Sequence, residues 1–597
     1  MSVRWWRSSC KEERHLAETE KKHFFHKRIG ELIAAVILGF LEVIALSLYY
    51  RDSLSFWLDS LKSGLLFFGI WVLSAALLFL FFLLLEALVR PERVMRPEPL
   101  KKVRFSDAHP FLFSALVLTV FYLPWILIFY PGSAIYDMTY QMVQGVGFQP
   151  VNAHHPIFAT WVIGLCGKIS LALTGKLNLG IFLYILLQSA VCVLAFSSMF
   201  SFMAKRGVRR GYWISLLFVF AVVPLFGGAM QCGTKDTLFT GLFVWFLVLL
   251  AELLLGEGTS FRTGKWAAFG ILILLLCLYR NGILVILVPS LAVFLIALRK
   301  ERKIRLLFSA VCVVALLFGF LVQTIAARAY HTGTETGEML SIPFQQTARY
   351  VRDHGDEVTD EEAKVIEETF VLEDYRELGK LYYPMSSDPV KARYHWYAAD
   401  DEGAVLKPYF STWAGMLKKH PLTYLEATAA NTYGYYAITP VIKNQKGGAG
   451  TPVQFFPDTY AVQGVIDRSG GTLSEELIPE SPDALKGARD VLSGWYSFWQ
   501  KAPVLGLFLK CGFYFYILLA ITLCYGRRKN KLSLLAIPMF LLILMAIASP
   551  VNEHIRYIFP VIAALPLLPA AAAKAENDKQ MGGYHERESI GNSDGSE

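Results

Sequence analysis

The sequence predicts an all-α polytopic membrane protein of about twelve transmembrane helices with a mostly helical extracytoplasmic domain, and three observations carry that prediction. Of 597 residues, 54% are apolar, 14% aromatic and 18% charged, well off the balance of a soluble chain, in which roughly a quarter of the residues are charged. The apolar residues gather into runs close to the roughly 20 residues a helix needs to cross a bilayer. Lys and Arg concentrate in short stretches between alternate runs, the signature of cytoplasmic loops.

In chain order, the runs are Ile29 to Tyr50, Gly64 to Val89, Phe111 to Tyr130, Asn178 to Ala204, Tyr212 to Met230 and Leu238 to Leu255. They continue with Trp266 to Tyr279, Ile283 to Leu298, Leu306 to Ala327, Val504 to Tyr525, Leu532 to Ala548 and Ile555 to Ala573. The basic stretches are residues 1–28, Arg90 to Arg104, Lys205 to Arg210, Arg262 to Lys265, Arg299 to Arg305 and Arg527 to Lys531. They alternate with outer loops only if the apolar stretch His155 to Leu173 does not cross. That stretch is therefore expected to be a juxtamembrane or re-entrant helix on the outside, with Trp161 in the headgroup zone.

The resulting organisation is a cytoplasmic basic amino terminus (1–28) and a transmembrane domain (29–327) with an outer loop at 131–177. An extracytoplasmic domain (328–503), carboxy-terminal transmembrane helices (504–573) and a disordered cytoplasmic tail (574–597) follow. Its net charge of +8 resides mainly in the inner loops and describes insertion rather than nucleic-acid binding. The charged stretch before Ile29 does not read as a cleaved signal peptide, so the first run is expected to stay as an anchor in the plasma membrane. The eight cysteines show no paired spacing, and neither a disulfide framework nor a zinc signature is expected.

Within 328–503, Thr359 followed by Glu362 is a capping box, with Ala363, Ile366 and Phe370 on one helical face behind it. Pro408 to Lys419 and Pro421 to about Tyr436 read as helices. Gly447 to Pro452 and Ser469 to Thr472 read as loops. Asp483 to Lys501 is an amphipathic helix whose Trp495, Tyr496 and Trp499 suit an interface. The carboxylates Asp360, Glu361, Glu362, Glu367 and Glu368 read as a solvated helix face.

Polar residues beside the apolar runs carry the functional expectation. Asp137, His154, His155, Lys235, Asp236, Arg280, Glu553, His554 and Arg556 all map to the outer face, where charges at a membrane edge mark a functional site by default. Asp137 is the candidate base. Arg280 and Arg556 are the candidate phosphate ligands, because a guanidinium meets phosphate oxygens bidentately and keeps its proton; Lys235 adds charge. His154, His155, Asp236, Glu553 and His554 are supporting candidates. Each has a plainer alternative: Asp137 as a helix cap, Arg280 snorkelling at a turn, Arg556 as an interfacial anchor, Asp236 orienting Lys235 or capping. Glu553 would then pair with Arg556 or His554. Asp137, Asp236 and Glu553 lie on separate loops without ligand spacing, so no metal or cofactor is expected.

The order of these motifs resembles that of GT-C membrane glycosyltransferases, most nearly the protein O-mannosyltransferases and the aminoarabinose transferases of lipid A. The likeness runs from the Tyr130 to Asp137 segment after the third run, through His154-His155-Pro156-Ile157-Phe158 opening a juxtamembrane helix and Thr234-Lys235-Asp236 heading the sixth run. It continues in Tyr279-Arg280-Asn281-Gly282 between two short runs and Arg556-Tyr557-Ile558-Phe559-Pro560 opening the last. Two runs precede the family's usual start, and the outer domain comes before the last three helices rather than after them. The resemblance implies a GT-C-like architecture, a distant bacterial relationship, and transfer of a sugar from a polyprenyl-phosphate donor to a glycan, lipid or protein acceptor outside the membrane. A transporter or flippase for a lipid-linked or anionic solute is the alternative, since it too would place cations in a membrane cavity.

Overall fold

The computed structural model describes residues 28–96, 104–134, 136–254, 263–299, 302–330, 336–394, 402–440, 481–527, 531–549 and 551–570. The expected basic terminus before Arg28, the Gly447 and Ser469 loops and the tail beyond Lys574 lie outside these residues.

The fold is helical almost throughout. Along the first half run α1 (Ile29–Arg51), α2 (Leu61–Leu88), α3 (Pro110–Ile128), α4 (Tyr136–Val146), α5 (Ile157–Thr174), α6 (Asn178–Lys205), α7 (Arg210–Val222), α8 (Pro224–Gln231), α9 (Lys235–Leu254), α10 (Thr263–Tyr279), α11 (Leu284–Ala297) and α12 (Arg302–Ala329). The region 336–440 holds α13 (Ser341–His354), α14 (Asp360–Phe370), α15 (Glu402–Lys419) and α16 (Pro421–Thr432), and the described residues continue through α17 (Lys486–Lys501), α18 (Cys511–Arg527), α19 (Ala536–Ile547) and α20 (Ile555–Ala564).

Among the described residues, seven helices are long and apolar enough to cross a membrane: α1, α2, α3, α5, α6, α9 and α12. The protein is thus a multi-pass membrane protein. The expected twelve runs resolve into six of these helices, all but α5, together with one bent pair and five shorter apolar helices, α10, α11, α18, α19 and α20. The bent pair is α7 and α8, turned through 53° at Pro224, whose ring cannot continue the helix before it. The run at His155 to Leu173, expected not to cross, forms α5, which has the length and composition to do so.

Aromatic and aliphatic side chains of α3, α6, α8, α9, α10 and α20 make one continuous core, including Tyr184, Phe196, Phe226, Phe243, Phe269 and Phe559. The outward faces of α2 and α12 are apolar and exposed, as at Leu65, Leu73, Leu80, Val314, Leu317 and Phe320. Such a surface is stable only against lipid or protein. Where α4 meets α5 the backbones touch at paired glycines: a Cβ on Gly145 would lie 2.5 Å from the Gly164 Cα.

The region 336–440 packs its own core around Phe344, Tyr350, Ile366, Phe370, Leu378, Tyr409, Met416 and Tyr424. The capping box forms as expected, with Thr359 Oγ1 accepting from the Glu362 N–H and Glu362 accepting from the Thr359 N–H. Two buried polar networks dock this region on α1. Arg349, 1% exposed, donates to Asp52 Oδ1 at 2.8 Å and to Glu426 at 2.9 Å. Glu42, buried within α1, accepts from the backbone of Ile438 and Thr439 and from the Tyr516 hydroxyl of α18.

Candidate functional site

Two dipeptides join distant parts of the chain. After α3 the segment Ser133–Ala134 (β1) pairs in parallel with Cys232–Gly233 (β2), which follows α8. This short pairing is stitched by glutamines. Gln188, a lone amide in the apolar middle of α6, donates to the Cys232 carbonyl at 2.8 Å and accepts from the Thr234 N–H at 3.1 Å. The Ser133 N–H donates to Gln231 Oε1. Asp137, three residues past β1, thereby meets Lys235, two residues past β2.

Asp137 Oδ2 accepts from Lys235 Nζ and from an Arg556 nitrogen, both at 2.8 Å. The same Arg556 nitrogen lies 3.4 Å from Asp236 Oδ2, so one guanidinium bridges two carboxylates that would otherwise repel. Asp236 Oδ1 takes Arg280 at 3.3 Å. Lys235 Nζ is 3.3 Å from His155 Nδ1, and the Arg556 Nε–H donates to His554 Nε2 at 3.2 Å. Tyr557 stacks on His554 and lies beneath both guanidiniums, 5.1 Å from Arg556 and 5.9 Å from Arg280; Phe239 flanks Arg280 at 5.3 Å. Arg280 is placed by the turn between α10 and α11, where Gly282 takes φ +70° and Asn281 ties back to the carbonyls of Ala153 and His154.

The structure thus brings Asp137, His155, Lys235, Asp236, Arg280, His554 and Arg556 into one network, drawn from five separate segments. Arg280 does not snorkel; it is held inward by Asp236. Asp236 does more than orient Lys235, binding two arginines as well as accepting from the Thr234 hydroxyl. His154 turns away, its Nδ1 3.8 Å from Glu338, which also binds Lys391. Glu553, a supporting candidate whose plainer reading is a pair with Arg556 or His554, meets Lys510 at 3.1 Å from a backbone at φ +51°.

Charge sets the protonation of the site. Burial alone would raise the Asp137 carboxyl, but the Arg556 and Lys235 charges outweigh it and hold it well below the usual carboxylate range. Burial, and then the Lys235 ammonium, push the His155 imidazole well below its ordinary value; burial and then Arg556 do the same to His554. Both imidazoles are therefore neutral at pH 7, and the charged set is three cations, Lys235, Arg280 and Arg556, against two carboxylates, Asp137 and Asp236. His155 Nε2, His554 Nδ1 and Arg280 Nε are buried without a hydrogen-bond partner among the described residues. Both carboxylates face cations, so a divalent metal here would have to displace a lysine or an arginine.

Residues 149–584 match the Family of unknown function (DUF6020), which is most of the chain. The protein belongs to the DUF6020 family. The DUF6020 region takes in His155, Lys235, Asp236, Arg280, His554 and Arg556, while Asp137 lies just ahead of it. No curated protein and no solved structure matches the chain.

Several members of the site carried no functional expectation in the sequence. Lys510, Tyr435, whose hydroxyl accepts from the His554 N–H at 3.1 Å, and Glu338 sit in segments with no distinguishing local pattern. Gln188 did carry a signal, as an amide within an otherwise apolar run.

Proposed function

We propose that this protein is an integral membrane glycosyltransferase of the GT-C type, moving a sugar from a polyprenyl-phosphate donor to an extracytoplasmic acceptor. The observation that carries the reading is the buried charge imbalance: Lys235, Arg280 and Arg556 exceed Asp137 and Asp236 by one positive charge at the ends of apolar helices. A buried cationic excess is costly unless an anion completes it, and a lipid-linked phosphate brings that anion to a membrane edge.

The chemistry follows from the contacts. A phosphate arriving at Arg280, Arg556 and Lys235 competes with the carboxylates for the cations and loosens the pairing that makes Asp137 a weak base. The acceptor hydroxyl oxygen then attacks the anomeric carbon, and its proton passes to Asp137. The bond between that carbon and the phosphate oxygen breaks with its electron pair on the phosphate, where the cations stabilise the developing charge. The retained exposure of Asp137, Lys235 and Arg280 (16, 13 and 11% of the side chain) against 6% for Arg556 gives the open side of the site to the first three.

The outer placement is supported by α6. Gln188 marks the level of the site, and at 1.5 Å per residue the Lys205 end of α6 lies about 26 Å beyond it and the Asn178 end about 15 Å on the other side. With a hydrocarbon core of about 30 Å and the basic loop at Lys205 inside, the site falls near the outer interface. Helix α5 starts at that level and packs against the Asn178 half of α6, with Gly167 against Gly180, which suits a juxtamembrane helix in the plasma membrane with both termini cytoplasmic.

The test is transfer of label from a panel of polyprenyl-phosphate sugars to membrane extracts, comparing purified wild type with Asp137→Asn. Transfer that collapses in the variant supports the reading. Equal transfer removes Asp137 from the mechanism, and no transfer with any donor moves the anionic-lipid transporter forward.

A further inference from the structure

The outer region carries a second constellation, far in sequence from the charged network and using none of its residues. Helix α13 ends at His354 and passes through a single 3-10 turn, Gly355–Glu357, pinned by the Tyr375 hydroxyl on the Gly355 carbonyl at 2.9 Å. His420 occupies the joint between α15 and α16. These elements bring His354, Glu357 and His420 together so that one ligand atom from each lies within 4.8 Å of the others. His420 Nε2 is 2.8 Å from Glu357 Oε2, His354 Nδ1 is 3.6 Å from Glu357 Oε1, and the imidazole rings stack 3.6 Å apart at 11°.

We propose that His354, Glu357 and His420 form a binding site for a borderline divalent cation, zinc being the best fit to two imidazoles and a carboxylate. Three features favour a metal over a plain ion pair. First, His354 Nε2 meets Thr423 Oγ1 at 3.0 Å; with Nε2–H donating there, the Nδ1 lone pair is left facing Glu357, the outer hydrogen bond that orients a metal-bound histidine. Second, Tyr350 packs its ring 5.5 Å from His354 and 5.6 Å from His420, and its fully buried hydroxyl has no hydrogen-bond partner among the described residues. The floor of the cluster therefore contains an unsatisfied polar group beside the ligands. Third, Lys419, whose Nζ also reaches the Glu357 backbone carbonyl at 3.5 Å, is held by both side-chain oxygens of Glu362 at 2.8 and 2.9 Å, which leaves the Glu357 carboxylate to the imidazoles.

The side chains of His354 and His420 are a quarter exposed and Glu357 about half, so solvent metal has access and at least one coordination position stays open for water. The ion would clip the end of α13 to the α15–α16 joint, stapling an outer region otherwise held by Phe344, Tyr350 and Tyr424.

The experiment uses tag-free, full-length protein in detergent, stripped with chelator and titrated with Co2+ as a spectroscopic stand-in and with Zn2+. The expected result is one ion per chain, visible d–d bands from Co2+ that Zn2+ abolishes, and a melting temperature that climbs with Zn2+ concentration. His420→Gln and His354→Gln each remove the bands. Thr423→Ala, which keeps all three ligands, weakens binding about 10- to 100-fold. The proposal is overturned if stripped protein gives no bands and no Zn2+-dependent melting shift, or if both persist in the His354→Gln/His420→Gln double variant. A variant that fails to fold is replaced by Glu357→Gln, whose side chain is exposed and dispensable for packing and must still lower the affinity.

Discussion

At the scale of single residues the network is governed by Arg556, one guanidinium shared by Asp137 and Asp236. Removing it as Arg556→Ala leaves Asp137 to Lys235 and Asp236 to Arg280 without the cation between the two carboxylates, and losses on the order of 3–5 kcal/mol are expected for breaking such a buried pairing, read as a lower melting temperature. Arg556→Lys keeps a charge that one nitrogen can still offer to both carboxylates but loses the Nε–H bond to His554 and the guanidinium's second face for a phosphate, so under the proposed function it should retain the fold while losing most transfer activity. If Arg556→Lys transfers sugar as well as wild type, the guanidinium is not required. The imidazoles predict a pH dependence of stability. His155 and His554 have depressed values in the fold, whereas the unfolded chain takes up these protons near pH 6.5. Stability present above that pH is therefore lost as pH falls below about 6.5 towards the depressed folded values. Asp137 has the opposite origin: its contribution is present above the unfolded carboxylate value of about 3.9 and is lost only as pH falls through its lowered folded value. Thermal unfolding between pH 7.5 and roughly pH 5 should thus steepen with the histidines and flatten in His155→Gln/His554→Gln, while Asp137→Asn leaves that slope in place.

At the scale of elements, close approach decides more than hydrophobicity. Helices α4 and α5 touch through Gly145 and Gly164, where an added Cβ would meet backbone rather than a movable side chain. Gly164→Val is expected to cost about 1–3 kcal/mol as overpacking and, because α4 carries Asp137 in its first turn and α5 begins just after His155, to reduce the proposed transfer along with stability. A variant with unchanged melting temperature and transfer would show that the two helices do not need this contact. The capping box at Thr359 and Glu362 was legible without the fold, since its chemistry is confined to four consecutive residues. The break between α7 and α8 was hidden within a continuous apolar run, although Pro224 marked it. The short strands β1 and β2 were not legible at all: two residues each give no periodicity, and their pairing depends on Gln188 arriving from α6 and on Gln231, at the end of α8, reaching across to Ser133.

At the scale of the whole molecule, the region 336–440 is joined to the apolar helices by buried polar contacts. Arg349 ties α13 to Asp52 and Glu426, Asn552 binds the Ala430 carbonyl and the Gly434 N–H, and Tyr435 meets the His554 N–H. The last two place this region directly against the charged network. Arg349→Ala should loosen that docking, exposing the region around 336–440 to limited proteolysis at temperatures where the wild type resists. Equal protection would assign the docking to the apolar contacts around Met385 and Tyr433. The placement of α5 is settled by a cysteine at Lys176, which is exposed between α5 and α6. Labelling by an impermeant maleimide in intact cells, as at a cysteine introduced at Val151, is expected if α5 lies along the outer face. Labelling only after permeabilisation would mean that α5 crosses.

The sequence by itself determined the helical, membrane-spanning character of this protein, because a bilayer requires long apolar stretches and short basic loops whatever their partners. It also singled out Asp137, Lys235, Asp236, Arg280 and Arg556, since a charge at a membrane edge stands out against its neighbours. Which charges meet was decided only by the tertiary structure. Asp137 and Arg556 are 419 residues apart, and no local rule connects them; their contact follows from the β1–β2 pairing and from α9 and α20 packing side by side. The same is true of His354, Glu357 and His420, where the first two share a helix end and the third arrives from another joint. Spacing in sequence records what a single helix or turn can do, while ligand sets and charge networks assembled from several helices depend on how their faces pack.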